Sequence, residues 1–196
     1  MVKIENTKEF KLVEGYYKPN NPIILSIIAI FAAIISVLTF IVPITIPATA
    51  GYINLGDIGV MITGSLFGPI VGGIAGGIGS AFTDLFLAPA YALPTLIIKG
   101  LEGFIIGLIA NPRKHYHKFN YRDVIAILVG GSIMVFGYFI VELLIYGLAG
   151  ALFESIFNGA IQFGLAAIAT ILFDITFRNN IISNLPQAFD KIFVFQ

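Results

Sequence analysis

The fold class the sequence predicts is an all-α membrane protein of six transmembrane helices, and three observations predict it. The chain is 58% hydrophobic and only 11% charged, whereas soluble domains carry about 25% charged residues. Its apolar residues run in long blocks, and about 18 in a row suffice to span a bilayer. Lys and Arg collect in alternate connections. Four lie in the N-terminal arm, four in the loop NPRKHYHKFNYR (Asn111–Arg122), and Arg178 and Lys191 follow the last span. The connections Pro43–Gly56, Ala88–Pro94 and Gly147–Glu154 hold none. By the positive-inside rule both termini and the basic loop are then cytoplasmic.

Composition also excludes. Formal net charge is +0, so nothing points to nucleic acid. Without cysteine there is no disulfide framework, no thiolate nucleophile and no Cys-based metal site. The two histidines, His115 and His117, share one short polar loop. No cofactor or metal is expected.

In chain order, residues 1–21 are polar and mixed in charge. They read as a cytoplasmic, surface-lying arm, with a short helix possible over Thr7–Glu14. About twenty polar residues precede the first apolar block, and no small-residue cleavage site follows, so a cleaved signal peptide is not expected. Pro22 opens the first span at a position where its missing N–H costs nothing, and the span reaches about Val42. The segment PITIPATAGYINLGD is too rich in turn residues for a helix. A short second span, Asp57–Phe67, ends at the Gly68-Pro69 turn. The third runs Ile70–Leu87, the fourth Thr95–Ala110, the fifth Val124–Leu148 and the sixth Ser155–Phe177. Residues 22–178 thus form one membrane domain. In the tail, 179–196, Ile181, Leu185, Phe189 and Ile192 fall at helical intervals, which predicts an amphipathic helix on the cytoplasmic membrane surface.

Ionisable residues in hydrocarbon are costly unless paired or facing a wet cavity, so each is a functional hypothesis. At 1.5 Å of rise per residue, Asp84 lies about 5 Å below the outer end of the third span, and Lys99 about 6–9 Å below that of the fourth. Glu102 follows one turn deeper, Glu142 lies about 8 Å down the fifth, and Asn158 and Gln162 about 5 and 10 Å down the sixth. Tyr138 and Tyr146 flank Glu142 four residues away on the same face. Tyr52, Asn54 and Asp57 arrive from the first outer loop, and Tyr91 from the second. Acids, amides, one ammonium and tyrosines gathered at one level are what a small polar ligand needs.

Blander readings stand beside this. Lys99 and Glu102 could neutralise each other, and Asp84 could terminate its helix. Asn158 and Gln162 could bond between helices, worth about 0.6–2 kcal/mol in membranes. Asp57 reads better as an N-cap of the second span than as a ligand contact. The glycines of GGIAGGIGS form small-xxx-small faces for close helix approach. They lack the spacing of a phosphate-cradling loop.

Taken together, these motifs resemble the substrate-binding S components of energy-coupling-factor (ECF) vitamin transporters. Ala29-x-x-x-Ala33, YINLGD (Tyr52–Asp57), LFGPIVGGIAGGIGSAFTDLF (Leu66–Phe86) and PTLIIKGLEGFIIGLIA (Pro94–Ala110) carry the likeness. It covers about Pro22 to Phe177 and is nearest in flavour to riboflavin- and hydroxymethylpyrimidine-type members. It implies a vitamin site beneath the outer loops of a six-helix bundle in the plasma membrane, with the first outer loop as lid. It also implies that Ala29 and Ala33 dock on an EcfT-like transmembrane coupling subunit driven by two cytoplasmic ATPases. Tyr52, Asn54, Asp84, Tyr91, Lys99, Tyr138, Glu142, Tyr146, Asn158 and Gln162 are the expected ligand contacts. The balance of acids over one lysine favours pyridoxine or hydroxymethylpyrimidine, then riboflavin, over anionic vitamins.

Two rivals come from other classes. A stand-alone proton-coupled transporter of a small polar solute would use Asp84 or Glu142 as relay, but such proteins usually show two related halves, and no repeat is visible. An intramembrane enzyme would need a nucleophile–histidine pair or a paired-acid metal motif within the spans. The sequence has neither, so no catalytic residue is expected.

Overall fold

The computed structural model describes residues 15–17, 19–47, 49, 51–115 and 119–194. The expected helix over Thr7–Glu14 and the side chain of His117 lie outside them. Five long or apolar helices build the body: α1 (Pro22–Ile41), α2 (Gly56–Phe67), α3 (Pro69–Leu87), α4 (Ala92–Ala110) and, after the single-turn α5 (Pro112–His115), α6 (Tyr121–Ile156). The chain continues through a π-helical stretch, Phe157–Phe163, into α7 (Gly164–Phe173), a second π stretch, Asp174–Arg178, α8 (Asn179–Asn184) and α9 (Pro186–Phe189). Among the described residues, four stretches are long and apolar enough to cross a membrane: Pro22–Ile41, Pro69–Leu87, Pro89–Ala110 and Tyr121–Asn184.

The start of α1 follows from its residues. Asn21 caps it by accepting from the Ile23 N–H at 2.9 Å, and Pro22 follows. The turn-rich segment after it forms a small antiparallel hairpin, β1 (Ile44–Thr45) with β2 (Tyr52–Ile53), in the register Ile44 to Ile53 and Thr45 to Tyr52. At the Gly68-Pro69 turn, Gly68 adopts φ 86°. A Cβ there would meet the Tyr16 ring at 2.2 Å, so both backbone and packing require glycine.

One boundary differs from the sequence reading. The connection expected over Gly147–Glu154 is a single residue. Gly147, at φ 74° and ψ −179°, breaks α6, and the helix resumes at once. The residues after it, LAGALFES, are otherwise helix-forming, and Gly150 among them keeps helical φ/ψ, so only Gly147 interrupts the helix.

Helix α2 is the central post. It has 12 residues, about 18 Å of rise, and packs against α1, α3, α4 and α7. Nearly every residue in it is buried, including Asp57, Thr63 and Ser65. Beside it, α3 and α4 meet along the glycine seam. A Cβ on Gly103 would lie 2.3 Å from the Gly72 carbonyl, and one on Gly77 would lie 2.7 Å from that of Leu96. The glycines serve backbone approach, as the small-xxx-small spacing predicts.

Polarity is arranged inside out. Leu25, Ile30, Val37, Leu144, Ile168 and Leu172 are exposed, whereas Asp57, Lys99, Glu102, Asp123, Glu142 and Arg178 are buried. That suits a hydrocarbon surround, in which polar groups must be satisfied within the protein. At one end of α2, Ser65 donates to Asp174 at 3.0 Å, and Arg178 pairs with Asp123 at 2.6 Å.

The two ends of the chain clasp each other. Tyr17 N–H donates to the Ile192 carbonyl at 2.9 Å, and Val194 N–H to that of Gly15 at 3.0 Å. An aromatic chain then runs from Tyr16 through Phe193, Phe189 and Phe67 to Phe31, with ring centroids 4.7–5.8 Å apart. The apolar side chains of the tail therefore face the protein. Ile182, Phe189, Ile192 and Phe193 are buried, and Leu185 is exposed.

Candidate ligand-binding site

The hairpin, the end of α3, the turn before α4, the middle of α6 and the π stretch converge on one cleft at the end of the bundle opposite the clasp. Tyr52 and Asn54 come from the hairpin, Asp84 from the last turn of α3, and Tyr91 from the short 3₁₀ turn Pro89–Tyr91. Tyr138 comes from α6, Glu154 from beyond the Gly147 break, and Asn158 and Gln162 from the π stretch. The cleft is narrow. Its free volume, about 20 Å³, is close to what one water needs.

Hydrogen bonds fix the rim. The Tyr52 hydroxyl donates to Asp84. Burial and the adjacent Asp84 carboxylate push that phenol above the ordinary tyrosine range, so it keeps its proton and remains a donor. Thr49 Oγ1 donates to Glu154 Oε2, which ties the tip of the hairpin to the last long helical segment. Gly51 sits so near that a Cβ on it would overlap the Glu154 carboxylate. On the far wall, Thr95 Oγ1 and Tyr138 Oη are 2.9 Å apart.

Beneath the cleft lies a buried ionic network. Lys99 is 2% exposed and pairs with Asp57, and with Glu102 at 3.2 Å. Asp57 also accepts from Gln162 Nε2 at 2.7 Å, while Gln162 Oε1 accepts from the Asn54 N–H at 2.7 Å. The amide of Gln162 is thereby locked in one orientation, donor side to the acid and acceptor side to the hairpin. The Lys99 ammonium stands 5.5 Å from the centroid of the Tyr138 ring, within cation–π range. A lysine taken out of water needs this much compensation.

Of the residues the sequence put forward, Tyr52, Asn54, Asp84, Tyr91, Tyr138, Asn158 and Gln162 line the cleft. Lys99, Glu142 and Tyr146 do not. Lys99 is held in the network below, by the Glu102 partner three residues away and by one that sequence spacing could not show. Glu142 is fully buried, against Glu154 and Asn158. Asp57 is not the N-cap of α2. Leu55 holds that position, and the Asp57 side chain turns to Lys99 and Gln162.

Glu154 is the residue sequence reasoning missed. With Asn158 and Gln162 it makes a polar series at intervals of four. Starting the sixth span at Ser155 hid that series.

Comparison with known proteins places this architecture. The profile of the "ECF-type riboflavin transporter, S component" matches residues 20–178. A Lactococcus lactis protein named thiamine precursor transporter HmpT is 33% identical over 169 residues, 84% of this chain and 93% of that one. An uncharacterised protein of Pyrococcus woesei is 43% identical over 128 residues, 65% of this chain and 83% of its own length. The solved structure of ThiT from Listeria monocytogenes superposes with a TM-score of 0.56 at 22% identity, over 84% of this chain and 96% of that one. It shares the fold. The chain belongs to the S components of ECF-type transporters, multi-pass proteins of the plasma membrane that take part in vitamin uptake and are not enzymes.

Proposed function

We propose that this chain captures a small, neutral or weakly basic heteroaromatic vitamin or vitamin precursor from outside the cell, for an ATP-driven ECF importer. One observation carries the reading: the cleft is lined by tyrosines, acids and amides, and by no cation among the described residues. Tyr52, Tyr91 and Tyr138 offer faces and edges for a ring. Asp84, Glu154, Asn158 and Gln162 offer acceptors and donors. Lys99, the buried cation nearest the cleft, is taken up by Asp57 and Glu102, which leaves nothing to balance an anionic vitamin. Hydroxymethylpyrimidine and pyridoxine therefore rank ahead of riboflavin, and the name of the Lactococcus relative, a thiamine precursor transporter, supports that order.

The membrane arrangement belongs to the same proposal. The shorter α2 and the break at Gly147 turn four long apolar stretches into six crossings, and Lys and Arg put both termini in the cytoplasm. The cleft then opens outward, and its narrowness means the hairpin must move for a ring to enter. Ala29 and Ala33 are exposed on α1, a smooth face for an EcfT-like coupling subunit that carries two ATPases.

The test is direct. Denaturing the purified protein and weighing the released small molecule by mass spectrometry should yield an aminopyrimidine or pyridoxine-like compound. Calorimetric titration should then give tight binding of it and none of biotin. The chain has no tryptophan, so quenching of indole fluorescence is no substitute. Tight binding of an anionic vitamin, or solute uptake by the chain alone in liposomes, would replace this reading.

A further inference from the structure

Helix α2 is bonded near both of its ends to the sixth span, and each bond falls on a π-helical stretch. Near the cleft, Asp57 accepts from Gln162 Nε2 at 2.7 Å, and Gln162 belongs to the first stretch, Phe157–Phe163. Near the opposite end, Ser65 donates to Asp174 Oδ1 at 3.0 Å, a proton it shares with the Ile62 carbonyl of its own helix at 3.1 Å. Asp174 opens the second stretch, Asp174–Arg178. The two anchors on α2 are eight residues apart, about 12 Å of rise. Between them, Ile58 and Met61 pack in one cluster with Phe163, Ala166 and Ile171. Asp57, Ser65 and Asp174 are all buried, so no solvent competes for either bond. Enclosed on almost every side, α2 shifts as one body, because close-packed interiors transmit strain.

The second π stretch has another arrangement within reach. Arg178 Nη1 holds Asp123 at 2.6 Å but stands 3.9 Å from Asp174 Oδ2. That oxygen, with Nε and Nη2 of Arg178, is buried without a hydrogen-bond partner among the described residues. A shift of about 1 Å would turn the long contact into a charge-assisted hydrogen bond. Local π-helix frequently marks functional positions. The first stretch carries Asn158 and Gln162 to the cleft, whereas the second lines no part of it.

We propose that Ser65 and Asp174 are positioning residues for the cleft, acting through α2. Their bond fixes the height of α2, which places Asp57, and Asp57 orients the Gln162 amide that lines the cleft. Neither Ser65 nor Asp174 lines it. The proposal rests on the capture reading above for the existence of a ligand, and adds the distant side chains on which affinity depends. Coupling between two sites is reciprocal. A ligand that draws on Gln162 moves Asp57 and α2 with it, and the shift closes Asp174 on Arg178 at the far end of the bundle.

The experiment uses hydroxymethylpyrimidine, pyridoxine and riboflavin as probes, by calorimetry and by amide hydrogen exchange in detergent. In the unaltered protein, a probe that binds should slow exchange over residues 157–163 and, at least threefold, over residues 174–182. Asp174→Ala and Asp174→Asn remove the same charge, but only asparagine still bonds Ser65. Asp174→Ala and Ser65→Ala should each weaken the probe at least fivefold and abolish its effect on 174–182, and Asp174→Asn should restore affinity to within twofold of the unaltered protein. A bound probe that leaves 174–182 of the unaltered protein unchanged overturns the proposal, whether or not any variant folds, and leaves vitamin capture standing. Unchanged affinity in folded Ser65→Ala, or an equal loss in both Asp174 variants, overturns it too. If the unaltered protein binds none of the three probes, the capture reading falls and the proposal with it.

Discussion

Asp57 is the side chain on which the cleft end of the molecule turns. It holds the Lys99 ammonium on one oxygen and the Gln162 amide on the other, so one carboxylate joins α2, α4 and the π stretch. Asp57→Asn should therefore act twice. Removing one charge of a buried pair typically costs about 3–5 kcal/mol, and the surviving contact of Lys99 with Glu102 keeps the expected loss near the lower figure, about 3 kcal/mol. Unfolding in detergent measures it, and an unchanged midpoint would show that Lys99 is not held in this way. The amide of Gln162 should also lose its fixed orientation, weakening ligand affinity in the folded variant.

Tyr52 makes a second residue-scale case. Its hydroxyl keeps its proton more tightly in the folded protein than in the unfolded chain. Its contribution to stability is thus complete below the unfolded value of about 10 and declines as pH rises through the folded one. Tyr52→Phe leaves Asp84 short of a donor, at about 1–3 kcal/mol. The stability gap between the two proteins should be constant from pH 6 to 9 and narrow above pH 10. A gap independent of pH through 11 would mean the phenol is not coupled to folding.

These cases also mark what the sequence could disclose at this scale. A lone acid or amide in an apolar run is conspicuous because hydrocarbon makes it costly, which is why most of the cleft lining could be read directly. Which of those groups face the cleft, and which are neutralised beneath it, is another matter. Spacing exposes partners three or four residues away, such as Glu102 for Lys99, but not Asp57, whose sequence separation is 42.

At the scale of elements, the glycines do different work at different places. Along the seam of α3 and α4, a Cβ on Gly103 would sit 2.3 Å from a backbone oxygen, whereas one on Gly100 would find its nearest neighbour at an ordinary 3.5 Å. Gly103→Ala should cost about 1–3 kcal/mol by forcing the helices apart. Gly100→Ala should be neutral, or stabilise by up to about 1 kcal/mol through helix propensity. Thermal melts of the two variants side by side decide it, and equal effects would mean the seam is not set by these contacts.

Gly147 is required for its backbone alone. No atom lies within 4 Å of its would-be Cβ, yet its φ is 74°. Alanine there meets only conformational strain, about 1–2 kcal/mol. A straightened helix would also change how Glu142 and Glu154 face each other, so a fall in ligand affinity larger than the fall in stability is expected. The sequence showed that a break belonged here, since a glycine after a long apolar run reads as a turn.

For the whole molecule, the apolar blocks made the all-α membrane architecture legible, because a bilayer demands long apolar helices. The closure of the ends was not legible. Tyr16, Phe67, Phe189 and Phe193 are far apart in sequence, and nothing in their local spacing announces one aromatic chain. Cutting the chain after Leu185 should expose Tyr16 and Phe67 together, and the cost should exceed that of deleting residues 1–14 alone.

The meeting of Tyr16 with Phe193 also carries a rule of parity. With both segments on one face of the bilayer, the number of lipid crossings between them would be even, as the six-crossing arrangement proposed above requires. Fluorescent reporters joined to either extremity should light on the same side of the cell membrane. A pair that reported from opposite sides would dismantle the clasp and the six-crossing arrangement in one result.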